Sequence, residues 1–153
     1  MGGVMLSKLK LSNSGKLYLI GGLNYNGGFY NEYLVVCRPN GSVVGYADQA
    51  HNLNMDIAID SSDNAYITGH TTGGTMESYY IYKVDSVGTT KWAYVSNQEN
   101  APYNIMYKNG EVYLAGQFHY QITLADTVGS APITLTASAN CIRRNKRLGL
   151  FHG

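Results

Sequence analysis

A chain of 153 residues with 44% hydrophobic content is long enough to fold as one domain around a real core. Charged residues make up only 14%, the net charge is +1, and Arg143, Arg144, Lys146 and Arg147 supply four of the eleven basic side chains. Removing those four from the total leaves the rest of the chain at about −3, which excludes a basic footprint for nucleic acid. No apolar run reaches the length of a membrane-spanning helix.

The N-terminal residues 1–11 place Lys8 and Lys10 after the apolar positions, the reverse of a secretory leader. Leu11-Ser-Asn-Ser-Gly-Lys-Leu-Tyr-Leu-Ile-Gly-Gly22 then opens a pattern that returns twice. Its second copy is Ile59-Asp-Ser-Ser-Asp-Asn-Ala-Tyr-Ile-Thr-Gly-His70, and its third is Met106-Tyr-Lys-Asn-Gly-Glu-Val-Tyr-Leu-Ala-Gly-Gln117. The tyrosines Tyr18, Tyr66 and Tyr113 are 48 and 47 residues apart, and Gly21, Gly69 and Gly116 repeat both spacings. A second landmark agrees: Tyr33 to Val44 matches Tyr80 to Lys91, with Gly41 and Gly88 again 47 apart. A constant period in this range marks a repeat architecture.

The middle copy decodes into four short strands. Met55 to Ile59 carries apolar residues at alternate positions. Asp60-Ser-Ser-Asp-Asn64 is a cluster of turn residues whose side chains bond the local backbone. Ala65 to Thr68 is the second strand, ending at Gly69, and Tyr79 to Val84 is the third. Asp85-Ser-Val-Gly88 is a hairpin turn, and Thr89 to Val95 is the fourth strand, carrying Trp92. No segment has a helical period. The 18 Gly fit many tight turns, and the 14 Tyr suit strands, with a ring for the sheet face and a hydroxyl for water. A four-stranded meander of this length cannot bury both faces alone; stacking such sheets radially does so, which predicts a partial β-propeller of about three antiparallel blades. The Tyr/Ile alternation of strand two is expected to pack between blades, and the glycine ending it to mark a bend or close approach. Trp92 has no counterpart in the first copy, where Gly45 stands, and is expected to plug the core locally.

The run Ile57-Ala-Ile-Asp-Ser-Ser-Asp-Asn-Ala-Tyr-Ile-Thr-Gly-His-Thr71, followed by Tyr80-Ile-Tyr-Lys-Val-Asp-Ser-Val-Gly88 and Trp92, resembles the bacterial SBBP-type β-propeller repeat. The middle copy carries the pattern best, the outer two in part, and the resemblance covers about 125 residues. Quinoprotein-like propellers share the Asp-x-x-Gly…Trp element. The resemblance implies a multi-bladed propeller within a larger secreted or surface-attached bacterial protein.

The third copy departs from the others. Gly69 lies 12 residues before Ile81, but Gly116 lies 26 before Ile142. The extra length falls in residues 121–136, where two Ile-Thr-Leu triplets flank a Gly/Pro turn and predict an added hairpin. Aligned by length, Ile142 falls on Ile81, Arg144 on Lys83 and Gly149 on Gly88. Arg143, Asn145 and Lys146 then break the apolar alternation. Either a charged edge strand ends the array, or the native reading frame is lost near residue 141; on the second reading the tail adds nothing to the fold.

No catalytic constellation emerges. The Asp60–Asn64 loop is oxygen-rich, but its counterparts Ser12–Gly15 and Lys108–Gly110 are not acidic, so a plain hairpin turn is expected rather than a calcium loop. His51, His70, His119 and His152 have no zinc-ligand spacing. Cys37 and Cys141 stand far apart, outside any Cys-x-x-Cys pair, and read as small buried hydrophobes. Asn40-Gly-Ser42 reads as a turn. Gly-x-Ser-x-Gly and phosphate-loop patterns are absent.

The expectation is therefore one propeller-like repeat domain over 1–153, in units of roughly 7–50, 51–98 and 99–153, with 143–153 atypical. It is a non-catalytic binding or structural module without cofactor or metal, extracellular or on the cell surface, and part of a larger protein. Its partners are the remaining blades and a protein or glycan, with neither nucleic acid nor a membrane span. A fragment of a quinoprotein-like propeller enzyme is the alternative, for which the required carboxylates are not evident.

Overall fold

The computed structural model describes residues 3–25, 29–50, 52–71, 78–118, 121–126, 133–136 and 146–148. Among them every regular element is a strand. The first sheet is a meander of β1 (Gly3–Leu11), β2 (Leu17–Tyr25), β3 (Phe29–Cys37) and β4 (Val43–Ala50). The second begins likewise with β5 (Asn52–Ile59), β6 (Ala65–Thr71) and β7 (Ser78–Val84), and its fourth strand is the start of β8 (Thr90–Lys108). All these neighbours pair antiparallel.

The fourth strand does not stop near Val95 as expected. β8 runs 19 residues without a break. Its first part pairs with β7, and its second, from Asn100, pairs with β9 (Glu111–Phe118) as the opening hairpin of the third sheet. One strand thus joins two sheets, and the unit boundary at 98/99 falls inside it. The sheets stack but do not close into a ring.

Four hairpins share one turn. In each, the residue before the loop donates its N–H to a carbonyl four residues on, at 2.9 Å, and its own carbonyl accepts from the residue three on, at 2.9–3.1 Å. That three-residue loop needs a left-handed residue at its end, and Gly15, Gly41, Asp63 and Gly88 occupy it with φ of 83°, 82°, 63° and 86°. The third sheet instead turns tightly on Asn109 and Gly110, at φ 53° and 81°, the Asn-Gly pair that a two-residue type I′ loop demands.

The repeated glycine of strand two faces a recurring irregularity. Leu6, Asn54 and Pro102 pair with Gly21, Gly69 and Gly116, and the following residue, Ser7, Met55 or Tyr103, is skipped in the register. The expected bend is therefore a β-bulge on strand one opposite the glycine, a site where proline is tolerated.

Two cores hold the stack. Tyr18, Ile20, Leu34 and Val36 of the first sheet bury against Ile57, Ala65, Ile67, Tyr82 and Val84 of the second. On the other face of the second sheet, Ala58, Tyr66, Ile81 and Tyr94 meet Ile105 and Leu114 of the third. Strand alternation sends Tyr66 to one core and Ile67 to the other, as the sequence pattern requires. Gly45 has a separate reason to differ from Trp92: a Cβ there would overlap the Val87 carbonyl of the β7–β8 turn, which lies against β4. Trp92 itself is only half-buried, at the rim of the second core rather than plugging it.

The predicted extra hairpin is present as β10 (Gln121–Asp126) and β11 (Ile133–Thr136), paired from Gln121 opposite Thr136. It joins the second sheet, not the third, through Leu124–Asp126 on the outer edge of β8 at Tyr94–Ser96. The tail corrects another expectation. Lys146–Leu148 forms β12 against β9, with Arg147 opposite Tyr113 as Lys83 is opposite Tyr66. The tail therefore supplies a short third strand, three residues out of step with the alignment that put Arg144 on Lys83. Ladder bonds are made by backbone groups, so charged side chains do not prevent pairing at an edge.

Candidate functional site

The polar side chains that could do chemistry converge on one end of the first two sheets, where the β1–β2, β5–β6 and β7–β8 turns meet. Asp60 opens the β5–β6 turn, and its Oδ1 accepts the N–H groups of Ser62 and Asn64 at 2.9 and 2.8 Å. Its Oδ2 accepts from Asn64 Nδ2 at 2.9 Å and from the Tyr66 hydroxyl at 3.2 Å, with Lys83 Nζ 3.9 Å away. Asp85 does the same in the β7–β8 turn, accepting from Val87 and Thr89 N–H at 3.0 and 2.9 Å and pairing with Lys91 at 2.8 Å. Both carboxylates hold their own hairpins in Asx-type turns.

Asp63 is different because it crosses between sheets. Its Oδ2 accepts from the Ser14 hydroxyl and lies 3.7 Å from Lys16 Nζ, both of the β1–β2 turn. Its backbone carbonyl accepts the Tyr18 hydroxyl at 2.6 Å. Lys16 also donates to the Ser86 carbonyl at 3.4 Å, tying the same loop to the β7–β8 turn. These contacts latch the first sheet to the second at the end of their shared core.

Burial pushes the Asp63 carboxyl up, but hydrogen bonds from Ser14 and Ser12 and the Lys16 charge outweigh it and hold the group below the usual carboxylate range. In Asp85 burial is likewise outweighed, by Lys91 and the Thr89 and Val87 N–H groups. Burial first, then the negative charges of Asp63, Asp60 and Asp85, pushes the Tyr18 phenol up to about 12. Tyr66 moves in the same direction through burial and Asp60.

The second interface is held by rings. Tyr66 stacks on Tyr107 at 5.5 Å between centroids and lies 5.9 Å from Trp92. Trp92 meets Tyr94 edge-on at 5.1 Å, and Lys83 Nζ sits 5.2 Å from the Tyr66 ring centre. One charged group crosses here as well. The buried Asp56 accepts the N–H of Ile105 at 3.0 Å, a bond between the second and third sheets that the sequence pattern did not reveal.

Among the described residues no three His, Cys, Asp or Glu side chains gather as a metal site. His70 is half-buried in β6, and Cys37 is a buried free thiol in β3. His51, His119, His152 and Cys141 lie outside the described residues. Asn40 holds the β3–β4 turn, its Oδ1 accepting from Ser42 N–H at 3.0 Å and Ser42 Oγ at 2.8 Å. Among the described residues no helix is long and apolar enough to cross a membrane. No protein-family model matches the chain, and no curated protein matches it.

Proposed function

We propose that this chain is a non-catalytic repeat module, a rigid stacked-sheet scaffold belonging to a larger secreted or surface protein of the SBBP-type propeller kind. The observation that carries this reading is the employment of its carboxylates. Asp60 and Asp85 close their own turns, while Asp63 and Asp56 bond across the two interfaces. Each therefore serves cohesion between repeats, which is what a scaffold asks of its polar residues. The low charge and the abundance of Tyr support an extracellular or cell-surface setting. The exposed turn end is then the surface on which a protein or glycan partner would rest.

A quinoprotein-like enzyme would need carboxylates available to bind calcium beside its cofactor. Urea unfolding with and without millimolar calcium separates the two readings. A scaffold whose carboxylates are spoken for keeps its midpoint, whereas a calcium site would raise stability by roughly 3 kcal/mol at a hundredfold excess over its Kd. Such a rise would overturn the non-catalytic reading. Emission of Trp92, the single tryptophan, reports glycan binding near the rim of the second interface in the same titrations.

A further inference from the structure

The first and second sheets are related by a step that the third repeats, and that step makes one exposed face equivalent to a buried one. Leu9, Leu17 and Leu19 stand 48 residues before Ile57, Ala65 and Ile67, and Val35 stands 47 before Tyr82. Ile57, Ala65, Ile67 and Tyr82 are packed against the first sheet, at 0, 0, 0 and 1% exposure. Leu9, by contrast, is 57% exposed, and its face-mates Leu11, Val43 and Tyr46 are 65, 59 and 68% exposed. Pairing of Leu9 with Leu19, Leu19 with Val35 and Val35 with Tyr46 sets these residues in one row across the sheet. The first sheet thus presents the same apolar face that the second uses to dock.

The complement of that face is the tyrosine-bearing side of a sheet, which Tyr18 supplies to the first interface and Tyr66 to the second. The third copy of that tyrosine, Tyr113, pairs with Met106. Ile105, Leu114, Tyr107 and Val112 point to the second sheet, so alternation turns Met106 and Tyr113 to the opposite side. Met106 is 48% exposed.

We propose that the Leu9 face of the first sheet docks the Met106 and Tyr113 face of the third sheet in a second copy of this chain, head to tail, by the step that relates consecutive sheets within one chain. The two faces differ, so the contact is heterologous rather than two-fold between like faces. It rests on the scaffold reading, since it treats the sheet step as the recognition element, but the calcium titration tests that reading separately.

Two single substitutions of the full chain test the proposal. Leu9→Lys blocks one face and Met106→Lys the other, each at an exposed position where the fold tolerates a charge. Sedimentation should show concentration-dependent association of the parent chain, weakened about 100-fold or more in either variant because a lysine would be buried unpaired. Mixing the two variants should restore a 1:1 complex that grows no further, because each retains the face the other lacks. A parent chain that stays monomeric would overturn the proposal, and so would a Met106→Lys variant that self-associates as the parent does, which would indicate Leu9 faces meeting each other. Far-UV circular dichroism checks folding, and Val43→Lys on the same face replaces Leu9→Lys if that variant does not fold.

Discussion

Asp63 makes the most discriminating single perturbation, because its turn and its latch pull in opposite directions. It occupies the left-handed region at φ 63°, which costs a residue with a Cβ on the order of 1 kcal/mol that glycine would not incur. Gly15, Gly41 and Gly88 hold the equivalent place in the other three hairpins, so turn chemistry alone predicts that Asp63→Gly stabilises the protein. The latch predicts the reverse. Losing the Ser14 hydrogen bond to a charged acceptor costs about 1.5–3 kcal/mol, and the half-screened Lys16 pair adds less than about 1 kcal/mol. The net expectation is a loss of about 1–2 kcal/mol, or roughly 4 °C in melting temperature for a chain this size. Urea unfolding in the Met106→Lys background, where association is suppressed, measures it directly. A cycle with Ser14→Ala should show coupling above about 0.5 kcal/mol. The folded carboxyl is held below its unfolded value of about 3.9, so the contribution is complete above that pH and fades as pH falls through the folded value. An Asp63→Gly variant as stable as its parent, or strict additivity with Ser14→Ala, would show that the latch contributes nothing.

Tyr66→Ala removes a buried ring from the second core and should cost about 3 kcal/mol, whereas Tyr66→Phe, which loses only the bond to Asp60, should cost about 1 kcal/mol; chemical denaturation of both separates packing from hydroxyl. Gly45→Ala drives a Cβ into the Val87 carbonyl, a backbone neighbour that cannot swing aside, and should cost about 2 kcal/mol by the same measurement. Tyr18 is raised to about 12, so its contribution is intact below the unfolded value of about 10 and is lost between there and about 12. Tyr18→Phe should remove that alkaline component, read from unfolding midpoints across the range.

The repeat made much of this legible before any coordinates. Period alone located β2, β6 and β9, because the Tyr-x-x-Gly element that defines them must meet a neighbour on each face. The Gly/Pro interruption in 121–136 correctly signalled a hairpin. Its destination was hidden, since a strand joins whichever edge has unpaired backbone groups and backbone groups leave no trace in side-chain pattern. The same reason explains β12, where charged residues pair through their main chain. The continuity of β8 was hidden because nothing between Val95 and Ala101 contradicts extended backbone, yet nothing in a repeat alignment asks two units to share a strand. At the candidate site, Asp60 was readable as a turn former. Asp63 was not readable as a latch, because its partners Ser14 and Lys16 lie a full repeat away and their copies in the other units differ.

Those differences make the two interfaces unequal, which sets an order of opening. The first has Tyr18 reaching across to the Asp63 carbonyl, Lys16 bridging two turns and, among the described residues, eleven buried members in its core. The second has six buried members and the Asp56 bond to Ile105. The short Asn109–Gly110 turn stands where the longer loop would be, and the Tyr66 hydroxyl turns to Asp60 of its own sheet instead of crossing. Fewer buried groups and fewer crossing bonds mean a smaller free energy to separate, and local opening follows the weakest contact. Native-state hydrogen exchange should therefore find the β9 amides of Val112 to Ala115 exchanging through a lower-energy opening than those of Tyr18 to Ile20 in β2. Asp56→Asn should lower protection in β9 while leaving β2 unchanged. Equal protection of the two strands, falling together under denaturant, would mean that the three sheets open as one unit and that the inequality of their interfaces has no thermodynamic weight.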